Sequence, residues 1–367
     1  MSLPAFICLG DIHLEPFIWT KYKSVVGDAF AGFESFIDLG IELHLPIVLL
    51  GDIFDTVKPS PMVMRFFRKQ MDRCVAENIP VFAIQGNHDK QPVPWYVACH
   101  DGVRHIGDGT PVHINGVDCV GFDYALRETI EEQVAELAQL ERRPQCLMMH
   151  QAAKQALRFE GKWNVDLELV PSDIPLILMA DIHTPWHAKI RDGQNAYYTG
   201  PSSPREIGQI GPKSCILVNT DLSIERLPIT YRQILRVNAT APDQLSAAEA
   251  WLADLPGGQI LPPLLWLLHT PECLERVVQL KASVADKDII VVSETVASVA
   301  EMQLQLDGEE KEREALLSVP DLLSQLVDPE VDERLHTFIL ALLDSGNSIL
   351  DVLRDFRARF IAEQGEQ

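Results

Sequence analysis

The sequence predicts a layered α/β fold with more than one domain. Short apolar runs alternate with segments that carry apolar residues at three- and four-residue spacing, which is typical of buried strands separated by amphipathic helices. Several runs end in glycine followed by aspartate or asparagine, as at Gly10-Asp11, Gly51-Asp52 and Gly86-Asn87. The chain has 367 residues, whereas a single hydrophobic core ordinarily stops growing at about 250–300 residues.

The first predicted domain covers residues 1–230. Strands are predicted over 5–9, 46–50 and 80–84, with helices over 30–43 and 61–78 between them. The remaining predicted strands are 117–122, 145–149, 175–180, 196–199 and 214–218. Apolar strands separated by helices indicate a buried sheet with helices packed on it.

The pattern restarts after residue 230 and predicts a small second α/β domain over 231–297. Its order is a strand at 234–238, a helix at 242–255, a strand at 263–269, a helix at 272–284 and a strand at 288–293. Residues 298–319 are acidic and predict a linker or an exposed helix. Residues 320–367 predict helices whose apolar positions fit either packing on their own domain or docking on a partner.

Composition narrows the class of protein. The chain holds 31 Lys and Arg against 53 Asp and Glu, a net charge of −22, which argues against a non-specific grip on nucleic acid. Seven scattered cysteines without a C-x-x-C pair favour a reduced intracellular protein over a disulfide framework or a thiolate zinc site. No leader-like segment opens the sequence, and no apolar run approaches the roughly 20 residues of a membrane span. We expect a cytoplasmic protein that does not contact membranes.

Polar residues that bind metals follow five predicted strands in succession. The residues are Asp11 and His13; Asp52 and Asp55; Asn87, His88 and Asp89; His150; and Asp181 and His183. Loops at the carboxyl ends of strands are where α/β folds hold their sites. Carboxylate, amide and imidazole groups suit Mn²⁺, Mg²⁺, Fe or Zn²⁺, and enough of them are present for two ions about 3.5–4 Å apart.

This succession of motifs resembles the calcineurin-like metallophosphoesterase superfamily. Within the superfamily, the segment Leu50-Gly-Asp-Ile-Phe-Asp-Thr56, followed by Pro59 and Pro61, is most similar to the SbcD branch, the nuclease subunits of double-strand-break repair complexes. The resemblance covers residues 5–205. It implies a layered metallophosphoesterase sandwich, with residues 231–297 as a capping and DNA-binding domain and C-terminal helices after it.

The resemblance also implies the role of each site residue. The implied ligands of the first ion are Asp11, His13, Asp52 and His183, and those of the second are Asp52, Asn87, His150 and Asp181. His88 is implied as the catalytic histidine that faces the scissile phosphate, and Asp89 as the carboxylate that orients it.

One motif departs from the family pattern. The family usually has Gly-His-x-His at the last motif, where this chain has Ala180-Asp181-Ile182-His183. A carboxylate is a harder ligand than imidazole, so we expect Mn²⁺ or Mg²⁺ to be favoured over Zn²⁺. An alternative register uses His187 in place of His183. Replacements of this kind are similar to those in phage members of the family.

The function implied is a Mn²⁺-dependent DNA exonuclease and endonuclease, the nuclease subunit of an SbcCD-type complex. Its implied partners are DNA ends and single strands, an SbcC-type coiled-coil ATPase that the C-terminal helices dock on, and a second copy in a homodimer. The implied location is the bacterial cytosol, or the host cytoplasm for a phage protein. The alternative is a stand-alone metallophosphoesterase acting on a small phosphodiester or a phosphoprotein, which the acidic composition suits. An inactive scaffold is disfavoured by the intact His88 and ligand set.

Overall fold

Alternating strands and helices build a layered α/β protein, as the sequence predicts. The computed structural model describes residues 2–16, 22, 24–157, 163–205, 209–255 and 260–306. The predicted C-terminal docking region, 320–367, lies outside the described residues. In the described part of the chain, no helix is long and apolar enough to cross a membrane.

The first sheet has six strands and supplies three of the five strand ends that carry site motifs. Strands β1, β2, β3 and β4 run parallel in that order. On the other side of β1, β11 pairs antiparallel with β1, and β12 pairs antiparallel with β11. Their bounds are β1 Pro4–Leu9, β2 Ile47–Leu50, β3 Val81–Ile84, β4 Val103–His105, β11 Lys213–Asn219 and β12 Ile224–Ile229.

The second sheet also has six strands and supplies the other two strand ends. Its order is β5-β6-β7-β8-β10-β9, in which β6, β7, β8 and β10 are parallel and the two edge strands are antiparallel to their neighbours. Their bounds are β5 Val112–Ile114, β6 Val117–Phe122, β7 Cys146–His150, β8 Leu176–Ala180, β9 Trp186–Arg191 and β10 Gln194–Tyr198.

Two hydrophobic layers hold these sheets in place. Residues of β1 alternate between them: Ile7 packs toward the helices, and Cys8 packs toward the second sheet. The helices of this part are α1 (Asp28–Leu43), α2 (Pro61–Ala76), α3 (Trp95–Cys99) and α4 (Arg127–Glu136). Helix α2 begins after Ser60, whose side chain accepts a hydrogen bond from the backbone N–H of Val63, with Pro61 in its first turn.

A third, three-stranded sheet forms a separate layer. Strands β13 (Ile234–Ala239), β14 (Leu264–His269) and β15 (Ile290–Thr295) are parallel, and helices α5 (Ser246–Asp254) and α6 (Leu274–Ser283) lie between them in sequence. We call these five elements the small domain; the limits 231–297 remain a prediction. Residues 299–306 are helical, and Met302 is buried beside Leu268 and Val296.

The small domain packs on the segment that precedes α1. One face of its sheet packs on α6 through Leu265, Leu267 and Val277, and another cluster joins Trp266 to Val25. A buried ion pair lies at this junction, where Arg232 Nε donates to Asp28 Oδ1 at 2.8 Å and Nη2 donates to Val26 O at 2.7 Å. Both side chains are fully buried, so this pair fixes the small domain against the start of α1.

Sequence patterns missed the partly exposed elements. Strands β4, β5, β9 and β12 lie at or near sheet edges, where partly exposed residues interrupt the apolar run. Helix α3 has only five residues, and α4 is a surface helix with two buried residues. The predicted helix over 242–255 begins as a 3₁₀ turn over Pro242–Leu245 before α5.

Candidate metal centre

The carboxyl ends of β1, β2, β3, β7 and β8 meet where the two six-stranded sheets approach each other. His150 Nδ1, at the end of β7, donates a hydrogen bond to Leu50 O at the end of β2, over 2.8 Å. A Cβ atom on Gly10 would lie 2.2 Å from Ala180 Cβ, so this approach requires glycine. The two sheets therefore bring their strand-end loops into one site.

Several predicted ligands have left-handed backbone conformations that are unusual for residues other than glycine. The φ angles are 52° for Asp11, 49° for His13, 49° for Asp52 and 101° for Asp181. Such conformations are strained by about 1–3 kcal/mol each and persist where surrounding structure enforces them. The backbone N–H of His13 donates to Asp52 O at 2.8 Å, which ties two of these turns together.

The first group of side chains joins β1 to β8. His13 Nε2 lies 3.1 Å from His183 Nε2 and 3.4 Å from Asp52 Oδ2. His183 Nε2 lies 4.0 Å from Asp11 Oδ1. Two imidazole nitrogens and two carboxylates therefore converge on one small volume.

The second group surrounds His150. Its Nε2 lies 3.2 Å from Asn87 Oδ1, 3.4 Å from Asp52 Oδ2 and 3.9 Å from Asp181 Oδ1. The same Asp52 oxygen thus lies 3.4 Å from a nitrogen of each group. Since the Nδ1 proton of His150 is held by a carbonyl oxygen, its Nε2 is the nitrogen that can offer a lone pair.

His88 and Asp89 do not form the pair that the resemblance implied. His88 Nδ1 lies 2.9 Å from the carbonyl oxygen of Asp55, its hydrogen-bond acceptor. The buried Asp89 accepts from the backbone N–H of Ile53 at 2.6 Å and of Gly86 at 2.7 Å. His88 Nδ1 is therefore held by a backbone carbonyl, while Asp89 ties the loops after β2 and β3 together; the orienting role of Asp89 stays a prediction.

The structure places two further side chains beside the implied ligands. Asp55 Oδ1 lies 3.2 Å from His13 Nδ1, on the ring edge opposite Nε2, and Arg205 forms an ion pair with the same carboxylate. Asp55 was visible in the Gly-Asp-x-x-Asp motif, whereas Arg205 is brought in from a distant loop. The structure brings His183 to the site; His187 is exposed and stacks on Tyr197, with ring centres 4.4 Å apart.

Burial dominates the electrostatics of the site. It raises the pKa of Asp11 to about 6, with the charge of Asp52 adding to it, and together with Arg205 lowers the pKa of His13 to about 4. Burial and the neighbouring His13 hold the pKa of His183 well below its usual range. Burial alone would lower the pKa of His150, but the nearby carboxylates, Asp52 first, raise it well above its usual range.

The side chains present fit divalent cations. Three groups have potential ligand atoms within 4.8 Å of one another: Asp11, His13 and His183; Asp11, Asp52 and His150; and His13, Asp52 and His88. Asp11 Oδ2 is buried without a hydrogen-bond partner among the described residues. Buried carboxylates are costly unless a cation or hydrogen bonds compensate them, and mixed oxygen and nitrogen donors suit first-row divalent metals.

Comparison with known proteins identifies the family. A family model described as calcineurin-like phosphoesterase matches residues 4–209, more than half of the chain. The chain belongs to this family. It is thus a metallophosphoesterase of a fold that uses divalent metal ions, with groups of side chains able to hold them.

Sequence relatives connect the chain to DNA repair proteins. It is 26% identical to the DNA double-strand break repair protein Mre11 of Saccharolobus solfataricus over 45% of this chain and 46% of that one. With Mre11 of Methanosarcina acetivorans the identity is 24%, over 94% and 54% of the two chains. It is 28% identical to the uncharacterized metallophosphoesterase YhaO of Bacillus subtilis over 35% and 36%. The chain spans about half the length of the Mre11 relatives it matches.

Proposed function

We propose that this protein is a two-metal DNA nuclease, with Mn²⁺ preferred and Mg²⁺ accepted, that hydrolyses phosphodiester bonds in exonuclease and endonuclease modes. The proposal rests on the position of Asp52 Oδ2, which lies 3.4 Å from both His13 Nε2 and His150 Nε2. A carboxylate shared between two nitrogen-bearing groups is the arrangement that a pair of ions requires. The similarity to Mre11 proteins supports DNA as the substrate.

The ligands divide into two sets in this proposal. The first ion would be held by Asp11, His13, Asp52 and His183, and the second by Asp52, Asn87, His150 and Asp181. When bound, such ions supply Lewis acidity that polarises a phosphate oxygen and stabilises charge in the transition state. Asp55 contributes by orienting the His13 ring, since its carboxylate lies beside Nδ1.

His88 is proposed to move the proton. Because Nδ1 donates to Asp55 O, the ring is held in one orientation with Nε2 on its other side. As an oxygen from water bonds to phosphorus and the P–O bond to the leaving oxygen breaks, a protonated Nε2 donates its proton to that leaving oxygen, which is general-acid catalysis. The third potential ligand group includes His88, so metal analysis of His88→Ala is the check on this division of roles.

The decisive experiment measures cleavage of linear duplex and single-stranded DNA with Mn²⁺, by the wild type and by Asp52→Asn. We expect cleavage by the wild type and none by the variant, with its metal content reduced. Cleavage that persists in Asp52→Asn, or in EDTA, would disprove the two-metal proposal. Hydrolysis of a small diester by the wild type without cleavage of DNA would disprove only the DNA assignment.

The metal preference rests on Asp181. Replacing it with His restores the ligand usual in the family and removes one negative charge. We expect Asp181→His to weaken activity with Mg²⁺ and shift it toward later transition metals such as Zn²⁺, following ligand softness. Activity titrations with Mg²⁺, Mn²⁺ and Zn²⁺ test this. An unchanged metal profile would mean that Asp181 is not a ligand.

The proposed assembly is a homodimer with an SbcC-type coiled-coil ATPase docked on residues 320–367. Such a partner would supply cationic DNA-binding surface to a chain whose own charge is −22. Truncation after Val319 is expected to leave a Mn²⁺-dependent nuclease that no longer binds the ATPase. A pull-down combined with a melting curve and a cleavage assay tests this. A truncated protein that is unfolded, or that still binds the ATPase, would contradict the docking role.

The net charge also favours a second candidate function. A stand-alone metallophosphoesterase acting on a small phosphodiester or a phosphoprotein needs no extended cationic surface. Comparison of kcat/KM for a small diester, a phosphopeptide and single-stranded DNA distinguishes the two. A DNA nuclease is expected to favour the oligonucleotide at low salt.

A further inference from the structure

Two cations lie against the ring of Trp163. Arg127 lies over the Trp163 ring, with Cζ 3.4 Å from the ring centre, and its Nη2 donates to Trp163 O at 2.8 Å. Lys154 Nζ lies 5.4 Å from the centre of the same ring. The guanidinium is therefore already stacked and hydrogen-bonded, so little order has to be created when a ligand binds.

The cluster is continuous with the second group of site residues. Tyr124 meets the His150 ring edge-on, with centres 6.5 Å apart, and Lys90 Nζ lies 5.9 Å from the centre of the Tyr124 ring. Asn164, which follows Trp163, donates a hydrogen bond to Gln151, which follows His150. The residue after Trp163 is therefore tied to the residue after His150. Tyr124 is buried, so the groups open to a ligand are Lys90, Arg127, Lys154 and Trp163, which we call the ledge.

Charge sets the ledge apart from the rest of the chain. It gathers three cations on a protein with a net charge of −22. Lys90 and Lys154 are exposed, and Arg127 and Trp163 are partly buried. Asp166 offsets part of the charge, since it pairs with Lys154 at 2.6 Å.

This chemistry fits unpaired nucleotides better than a duplex. Aromatic side chains stack on bases that are free of a helix, and nearby cations follow the phosphates. Tight binding of a duplex ordinarily uses about 6–10 phosphate contacts, more than three cations supply. Phosphodiesters are also what the proposed metal centre would hydrolyse.

We propose that the ledge binds single-stranded nucleic acid and leads it to the His150 side of the metal centre. This inference rests on the proposed nuclease function for its substrate class. It goes beyond that function by naming the residues through which the chain itself recognises a single strand.

The test uses the full chain with three ledge variants and one control. Trp163→Ala removes the stacking surface, Trp163→Phe keeps a ring, and Lys154→Gln removes an exposed charge without threatening the core. Lys189→Gln is the matched control, because Lys189 on the edge strand β9 is also an exposed lysine. Its side chain is 61% accessible and pairs with Asp192. A melting curve accompanies each variant.

Binding of a fluorescent oligothymidylate is measured by anisotropy in EDTA, where no cleavage occurs. We expect Trp163→Ala to weaken binding about tenfold, the loss of one stacked base, and Trp163→Phe to restore most of it. Lys154→Gln should reduce the salt dependence by about one counterion, and Lys189→Gln should change nothing. With Mn²⁺, KM for the oligonucleotide should rise in Trp163→Ala far more than KM for bis(p-nitrophenyl) phosphate.

Three outcomes would contradict the proposed role of the ledge. They are no binding of the oligonucleotide by the wild type, unchanged binding in both Trp163→Ala and Lys154→Gln, or an equal loss of affinity for duplex DNA in these variants. Lys154→Gln keeps the test decisive if Trp163→Ala does not fold. Failure of the nuclease proposal is distinct from these, since it appears as absent DNA cleavage by a wild type that still binds the oligonucleotide in EDTA.

Discussion

The phosphoesterase core and the small domain each contain a parallel strand that ends in a buried histidine. In the core, His150 ends β7 and directs Nε2 at Asp52, Asn87 and Asp181. In the small domain, His269 ends β14, and its nitrogens lie 3.0 Å from Thr270 O and 3.3 Å from Thr295 Oγ1. One histidine faces carboxylates supplied by other strand ends, and the other contacts a backbone carbonyl of the next residue and the hydroxyl at the end of β15.

The difference shows what turns a strand-end histidine into a candidate ligand. Both residues are buried and both follow apolar strands, so local sequence does not separate them. Five strand ends from two sheets converge around His150, whereas three strands of one sheet surround His269. All three potential metal groups among the described residues belong to the core.

The largest expected effect separates these two histidines directly. His150→Asn should lower phosphodiester hydrolysis by at least about a thousandfold, since several kcal/mol of transition-state stabilisation depend on the bound ions. His269→Asn should leave kcat within about twofold and lower the free energy of unfolding by about 1–3 kcal/mol, the loss of buried hydrogen bonds. Steady-state kinetics and urea unfolding of both variants measure this. An equal loss of activity in both variants would contradict the different roles expected for His150 and His269.

The junction between the two regions should show the next largest effect. Arg232→Met leaves Asp28 buried without its guanidinium, and we expect the free energy of unfolding to fall by about 3–5 kcal/mol. The control is Arg276→Met, which removes an exposed pair with Glu249 and should change stability by less than about 1 kcal/mol. A separate unfolding transition for the small domain in Arg232→Met would show that the pair couples the two regions. An effect no larger than that of the control would contradict it.

His88→Ala sharpens the comparison within the core. It should lower turnover by about a hundredfold or more, the contribution of a general acid, while both ions remain bound. Metal analysis by mass spectrometry, together with single-turnover cleavage, measures the two quantities separately. Loss of metal from His88→Ala would instead make His88 a ligand, as the third potential group allows.

The smallest effect concerns a buried cation of the core. Burial lowers the pKa of Lys213 to about 8 from 10.5, although its Nζ donates to Gln209 O at 2.9 Å. Between these two pH values the unfolded chain binds more protons than the folded protein, so the free energy of unfolding should rise with pH. Below pH 8 Lys213 is charged in both states, and the full free-energy cost of burying that charge applies. Lys213→Met should remove about 1–2 kcal/mol of that rise. Urea unfolding at pH 8 and 10, with Lys189→Met as the exposed control, tests the prediction.

Much of the core was readable in the sequence because its strands are buried on both faces. Strands β1, β2, β3, β7 and β8 appear as unbroken apolar runs, and the polar residues that follow them mark the site. Edge strands such as β9 carry alternating or mixed residues, because only part of each strand is covered. Their pattern therefore resembles that of a loop.

By itself, the sequence determined which side chains are available, namely the carboxylates, imidazoles and amide at five strand ends. It also determined the α/β order that places the ends of parallel strands at one edge of a sheet. The tertiary structure alone decided which of these side chains lie close to one another. It selected His183 over His187, gave His88 the carbonyl of Asp55 in place of Asp89, and brought Arg205 to Asp55. The reason is physical: backbone carbonyls have no residue identity, and contacts between distant loops depend on how two sheets pack.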